Sequence, residues 1–246
     1  MRFLILSDIH ANLEGLEAVL AHASGKYDRI VCLGDVVGYG ADPDAVTEWV
    51  RENVEVTIRG NHDKACAGLE DLEWFNPVAR ISAVWTQERI KPENMEWLGK
   101  LPKGPAQVDS FQILHGSPLD EDEYLISEQD ARQVSPYLDA GVYFFGHTHL
   151  QGGFWFRRNL TRRLPKLSLD IDESALEIEP DATYLINPGS VGQPRDNDPR
   201  AAYAIYDPEQ HVATYHRVEY EIAKAQRKIV AAGLPEVLAK RLEIGG

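Results

Sequence analysis

Arg2-Phe3-Leu4-Ile5-Leu6-Ser7-Asp8-Ile9-His10 opens as a β-strand and closes on two polar side chains spaced Asp-x-His. The same form recurs along the chain. The apolar run ending at Leu33 meets Gly34-Asp35, and the run ending at Ile58 meets Gly60-Asn61-His62-Asp63 after an intervening Arg59. The run ending at Leu114 meets His115-Gly116, and the run ending at Phe145 meets Gly146-His147-Thr148-His149. Eight positions in five clusters therefore stand at strand ends: Asp8, His10, Asp35, Asn61, His62, His115, His147 and His149.

Between these ends the chain alternates strand and helix. Residues 2–6, 29–33 and 54–58 read as strands. Residues 13–23 carry Leu13, Leu16 and Leu20 on one helical face, with Asn12 placed as N-cap. Asp42-Pro43 supplies an N-cap and a first-turn proline for a helix to about residue 53. This βαβαβ order predicts a parallel sheet with right-handed crossovers. In such sheets ligands gather beyond the carboxyl ends of the strands, where the polar clusters lie. Residues 77–101 read as two helices parted near Pro92, 111–114 and 142–145 as strands, and Ser127 with Asp130 as a capping box opening a helix to about Leu138. Shorter, partly antiparallel strands are expected around 153–156, 183–186, 202–206 and 211–216. A helix from about 222 to 242 should break near Gly233-Leu234-Pro235. With no repeat or linker in view, residues 1–246 read as one domain.

A length of 246 residues is enough for a substantial core. The net charge of −14 argues against a protein that grips a nucleic-acid backbone over a broad face. It leaves room for a small phosphorylated substrate, because bound cations reverse the local sign. Two cysteines, Cys32 and Cys66, cannot make a disulfide framework or a cysteine-rich zinc site. The first apolar stretch is too short for a signal peptide, and none approaches the ~20 residues of a membrane span. A cytoplasmic protein, with homo-oligomerisation left open, is the expectation.

Carboxylate, amide and imidazole without thiolate suit manganese, iron, zinc or cobalt. The ligands outnumber the needs of one ion, whereas two ions ~3.5–4 Å apart, bridged by a carboxylate, would use them all. The ordered set Asp-x-His, Gly-Asp, Gly-Asn-His, His and Gly-His-x-His over residues 7–149 resembles the signature of the calcineurin-like metallophosphoesterases. Asn187-Pro188-Gly189-Ser190-Val191-Gly192-Gln193-Pro194-Arg195 is similar to the bacterial and archaeal branch of small phosphodiesterases. The resemblance implies a four-layer α/β/β/α fold, a two-sheet sandwich flanked by helices. It implies a first metal on Asp8, His10 and His149, a second on Asn61, His115 and His147, and Asp35 as the bridge. It further implies attack of a metal-bridging hydroxide on a small phosphodiester or a nucleotide polyphosphate such as diadenosine tetraphosphate. His62 would face the phosphate and leaving group as a catalytic residue.

Other assignments have two readings. Arg59 is a phosphate clamp or a strand-end surface residue. Asp63 orients His62 or serves a turn. Asn12 caps its helix or touches substrate. The run 187–195 supports the site as a Gly/Pro turn, with Arg195 as a phosphate contact. Asp120-Glu121-Asp122-Glu123 reads as a solvated loop, after a Leu119 that stands where relatives often carry a basic residue. Residues 157–166 hold five basic side chains and read as a solvated hairpin, a polyphosphate-recruiting patch or a subunit contact. Phosphoprotein phosphatases continue the second motif as Gly-Asp-Tyr-Val-Asp-Arg-Gly. Here it runs Gly34-Asp35-Val36-Val37-Gly38-Tyr39-Gly40, which disfavours that activity. A non-catalytic scaffold would be expected to show degraded ligands, and none of the eight positions is degraded.

Overall fold

Phe3–Leu6 forms β1, Leu13–Ala23 α1, Arg29–Cys32 β2, Pro43–Asn53 α2 and Val56–Thr57 β3. The three strands run parallel in the order β3-β2-β1. All four side chains of β1 are buried, which explains the unbroken apolar run. Successive residues point to opposite faces, so Phe3 and Ile5 face one core while Leu4 and Leu6 face another. The computed structural model describes residues 1–246, the side chain of Trp74 excepted.

The chain continues through α3 (Asn61–Cys66), a 3-10 turn (Leu72–Trp74), α4 (Pro77–Gln87) and α5 (Pro92–Gly99). Next come β4 (Ala106–Val108), β5 (Phe111–Ile113), α6 (Glu128–Val134), a second 3-10 turn (Ser135–Tyr137) and β6 (Val142–Phe144). Then follow β7 (Gly152–Arg157), β8 (Leu160–Leu164), β9 (Glu173–Glu177), β10 (Thr183–Asn187), β11 (Ala201–Asp207) and β12 (Val212–Val218). Helices α7 (Ile222–Ala231) and α8 (Glu236–Ile244) close the chain. Two mixed six-stranded sheets result, in the orders β3-β2-β1-β11-β12-β9 and β4-β5-β6-β10-β7-β8.

The inner faces of the sheets meet on Phe3, Ile5, Phe111, Phe144, Ile186 and Tyr206. The outer face of the first sheet packs on α1 and α2 through Leu16, Val19, Val46 and Val50. The outer face of the second packs on α6 through Ala131 and Val134. This is the four-layer sandwich expected from the sequence.

Several boundaries differ from expectation. The strand expected at 54–58 shrinks to Val56–Thr57, because Val54 still bonds back to Val50 as the cap of α2. The helix expected to reach Leu138 gives way to a 3-10 turn at Ser135, where Pro136 has no amide hydrogen to continue the ladder. Strand β9 was not foreseen: Glu-Ser-Ala-Leu-Glu is mostly exposed and forms one edge of its sheet on β12. Short β4 and α3 were missed as well. Among the described residues, no helix is long and apolar enough to cross a membrane.

Candidate metal centre

The five polar clusters converge on one rim, and the backbone is bent to make them do so. Asp8, His10, Asp35, His147 and His149 have φ of 52°, 49°, 54°, 64° and 58°. Left-handed backbone at non-glycine residues costs roughly 1–3 kcal/mol each and collects where geometry is functionally constrained. Glycine lets the segments close: a Cβ on Gly60 would lie 2.1 Å from Asp35 Oδ1.

Two buried groups of donors result, Asp8–His10–Asp35–His149 and Asp35–His115–His147. Asp35 belongs to both. Its Oδ1 accepts a hydrogen bond from the His62 amide at 2.9 Å. Its Oδ2 stands 3.5 Å from His10 Nε2 and 3.4 Å from His115 Nε2. His149 Nε2 is 3.1 Å from His10 Nε2 and 3.4 Å from Asp8 Oδ1. Asn61 Oδ1 joins the second group, 3.4 Å from His115 Nε2.

Each of the four candidate ligand histidines has one nitrogen tied to a backbone carbonyl. His10 Nδ1 donates to Val37 O at 2.9 Å, His115 Nδ1 to Leu33 O at 2.8 Å, and His149 Nδ1 to Gln193 O. His147 reverses the pattern, with Nε2 donating to Asp122 O at 3.1 Å. Such bonds fix the tautomer and leave the other nitrogen as a lone-pair donor, as a metal ligand requires. Full burial lowers His10 and His149 well below the usual imidazole range, which keeps them neutral. Burial alone would raise Asp35. The imidazole of His115, which Asp35 raises to about 10 against its burial, leads the groups that outweigh it and hold this carboxylate well below its usual value. Oxygen and imidazole donors, pre-oriented and without thiolate, fit divalent ions of borderline hardness, and a bound ion would displace the proton of His115.

Residues 1–211 match the calcineurin-like phosphoesterase superfamily domain. The chain belongs to the calcineurin-like phosphoesterase superfamily. It is a metal-dependent phosphoester hydrolase. An uncharacterized protein of Methanocaldococcus jannaschii, MJ0912, is 39% identical over 251 residues, covering 98% of this phosphoesterase and 97% of that protein. A crystal structure of a metallophosphoesterase from Sphaerobacter thermophilus is 42% identical, with a TM-score of 0.85 over 100% of this chain and 99% of that one. The hypothetical protein PH1004 from Pyrococcus horikoshii shares the fold at 19% identity, with a TM-score of 0.76 and coverage of 100% and 98%.

Around this phosphoesterase centre several expectations change. Asp63 does not face the His62 ring. Its Oδ1 accepts from the amides of Val36 and Val37 at 2.8 and 3.2 Å, and its Oδ2 from Gly60 at 3.0 Å. It ties α3 to the Asp35 loop, and the orienting role toward His62 has no contact to carry it among the described residues. Arg59 is engaged as well: its Nε and Nη2 bond Glu121 at 3.1 and 2.9 Å, so its fork is already filled by a carboxylate. Glu121 is consequently buried, and the loop read as solvated is anchored at Glu121 and offers His147 the Asp122 carbonyl. Asn12 is a cap: its Oδ1 accepts from Gly15 N at 3.0 Å while its Nδ2 donates to Gly192 O at 2.8 Å.

The run 187–195 underpins the centre. Ser190 Oγ donates to Asp8 O at 2.7 Å, and Gly192 N donates to the same carbonyl at 3.0 Å. Arg195 emerges at the rim, its guanidinium 5.6 Å from the Tyr39 ring centre. Two aromatic residues at the centre were missed from the sequence. Tyr39 lies 4.7 Å from the His10 ring and 4.3 Å from the His62 ring, and Tyr124 lies 3.9 Å from the His147 ring. The glycines on either side of Tyr39 are the one signal that could have marked it, since a Cβ would lie 2.6 Å from His62 Nδ1 at Gly38 and 2.3 Å from His10 O at Gly40.

Proposed function

We propose that this phosphoesterase uses two divalent ions to hydrolyse a small phosphodiester or a nucleotide polyphosphate. The observation that carries this reading is the single oxygen, Asp35 Oδ2, placed between two buried donor groups. Asp8, His10 and His149 would hold one ion, Asn61, His115 and His147 the other, with Asp35 shared. Manganese, iron, zinc and cobalt all suit these donors. When bound, the ions polarise the phosphate and lower the pKa of water, so that solvent supplies the nucleophile.

The protein's own groups do the rest. Arg195, whose amide bonds His149 O and whose guanidinium lies by Tyr39, would take a phosphate oxygen. His62 lines a cavity of about 240 Å³ beside Asn61, Tyr124 and His147. Burial, reinforced by Arg195 and His115 against Asp35, pushes its imidazole down to about 4. Neutral in the free protein near neutral pH, it would approach the phosphate as an N–H donor suited to stabilising charge on the leaving oxygen.

Metal analysis tests the reading. Protein reconstituted with manganese should approach two ions per chain and hydrolyse bis(4-nitrophenyl) phosphate. Asp35→Asn should lose metal from both positions, because the shared oxygen carries less charge. Retention of both ions and full activity in that variant would exclude the bridge.

A further inference from the structure

The basic decade 157–166 is not uniform once folded. It forms the hairpin of β7 and β8. Arg157 is neutralised there, bonding Glu179 at 2.7 Å and also Asp181. Arg163 and Lys166 are different. Arg163 Nη2 donates to the backbone carbonyl of Ile126, and Lys166 Nζ to that of Asp196. A carbonyl orients a cation without cancelling its charge. Both side chains line a cleft of about 470 Å³, and Arg195 lines the same cleft. The lining carboxylate, Asp196, is bound to the fully buried Arg217 and so offsets little of this charge.

Two residues link the cleft to the segments that carry the metal centre. Thr148, between His147 and His149, is part of the cleft wall, and the Arg195 amide donates to His149 O at 3.3 Å. Buried Leu125 and Phe154 give part of its lining an apolar character. A volume of this size falls within the range of ligand sites, roughly 300–1,000 Å³. In a chain of net charge −14, three cations around one concavity make a local sink for anions.

We propose that this cleft is a subsite for an oligophosphate arm of the substrate. The arm would run from the scissile phosphate past Thr148 and be held by Arg163, Lys166 and Arg195. The inference rests on the proposed function and narrows its substrate class to molecules carrying at least one further phosphate beyond the one attacked.

Binding of inorganic tripolyphosphate to metal-free protein, followed by titration calorimetry, tests the subsite without the metals. Arg163→Gln combined with Lys166→Gln should weaken tripolyphosphate ~10–100-fold, the range for losing charge-assisted hydrogen bonds. A control pair, Arg29→Gln with Arg157→Gln, removes the same charge from side chains already bonded to carboxylates, and should change affinity less than about twofold. In the manganese-loaded protein, the cleft pair should raise KM for dinucleoside polyphosphates and leave bis(4-nitrophenyl) phosphate turnover within about twofold. Unchanged tripolyphosphate affinity in the cleft pair overturns the proposal, and so does an equal loss in the control, which would indicate only the overall field. Absence of phosphodiester turnover in the loaded wild-type protein would instead count against the proposed function, while the metal-free titration still decides the cleft.

Discussion

His62 follows Asn61 in the first turn of α3 yet does different work. Its backbone amide bonds Asp35, whereas its ring sits among Tyr39, Phe75 and His10 with Nδ1 lacking a partner. His62→Ala should therefore keep nearly all bound metal. Its rate should fall ~10²–10⁴, the range for losing a group that assists proton transfer or charge at the leaving atom. The deficit should shrink with nitrophenolate esters, whose leaving oxygen needs less help. Equal deficits across leaving groups would place His62 on the phosphate instead. The neighbouring Asp63 gives the opposite pattern. Asp63→Ala strips acceptors from three buried amides, a loss on the order of 3 kcal/mol at about 1 kcal/mol each. Urea unfolding should register that loss, and metal content should fall with it because the Asp35 loop is released.

The segment joining β10 to β11 shows how tightly an element without regular structure can be specified. Gly192 lies against the Asp-x-His turn, where an added Cβ would come 1.8 Å from Ile9 O. Gly192→Ala must push Asp8 and His10 outward, so we expect destabilisation of about 1–3 kcal/mol and weakened metal binding, measured by denaturation and metal titration. The strand-end clusters were legible because a buried apolar run that stops at Asp or His delivers a polar group to the rim of its sheet. Helices α1, α2, α4, α5, α7 and α8 were legible through periodicity, proline at N1 and the Gly-Leu-Pro break. Asp63 and Arg59 kept two readings for a shared reason: their partners, the Val36 and Val37 amides and Glu121, are distant in sequence. Spacing cannot show which polar group a carboxylate or guanidinium will meet across the fold. Strand β9 was hidden because an exposed edge strand carries no apolar signature.

At the scale of the molecule, a second histidine cluster should shape acid stability. His216 on β12 stacks on Tyr203 at 4.7 Å, with His22 beside it at 5.7 Å. Burial, aided by Lys26 and His22, lowers His216 to about 4. An unfolded chain takes up this proton near pH 6.5, whereas the folded one resists until about 4. Stability should thus decline between those values and lose no more to this residue below them. His216→Phe, which keeps the stack, should flatten that part of the urea midpoint profile. An unaltered slope would show that His216 takes its proton equally in both states.

The donor groups also have a mechanical origin. Asp8, Asp35 and Asn61 leave one sheet, whereas His115 and His147 leave the other. What separates the sheets is aromatic packing, with Phe111 at 5.0 Å from Phe3, 5.5 Å from Phe144 and 5.3 Å from Tyr206. The thickness of that oily layer is thus a calliper on the span between carboxylate and imidazole. Thinning it with Phe111→Leu, without touching a donor, should alter the magnetic exchange between two bound manganese ions. Substitutions on the outer faces of the sheets should leave that coupling as it was. The interior of this protein would then be under selection as a spacer as well as a core.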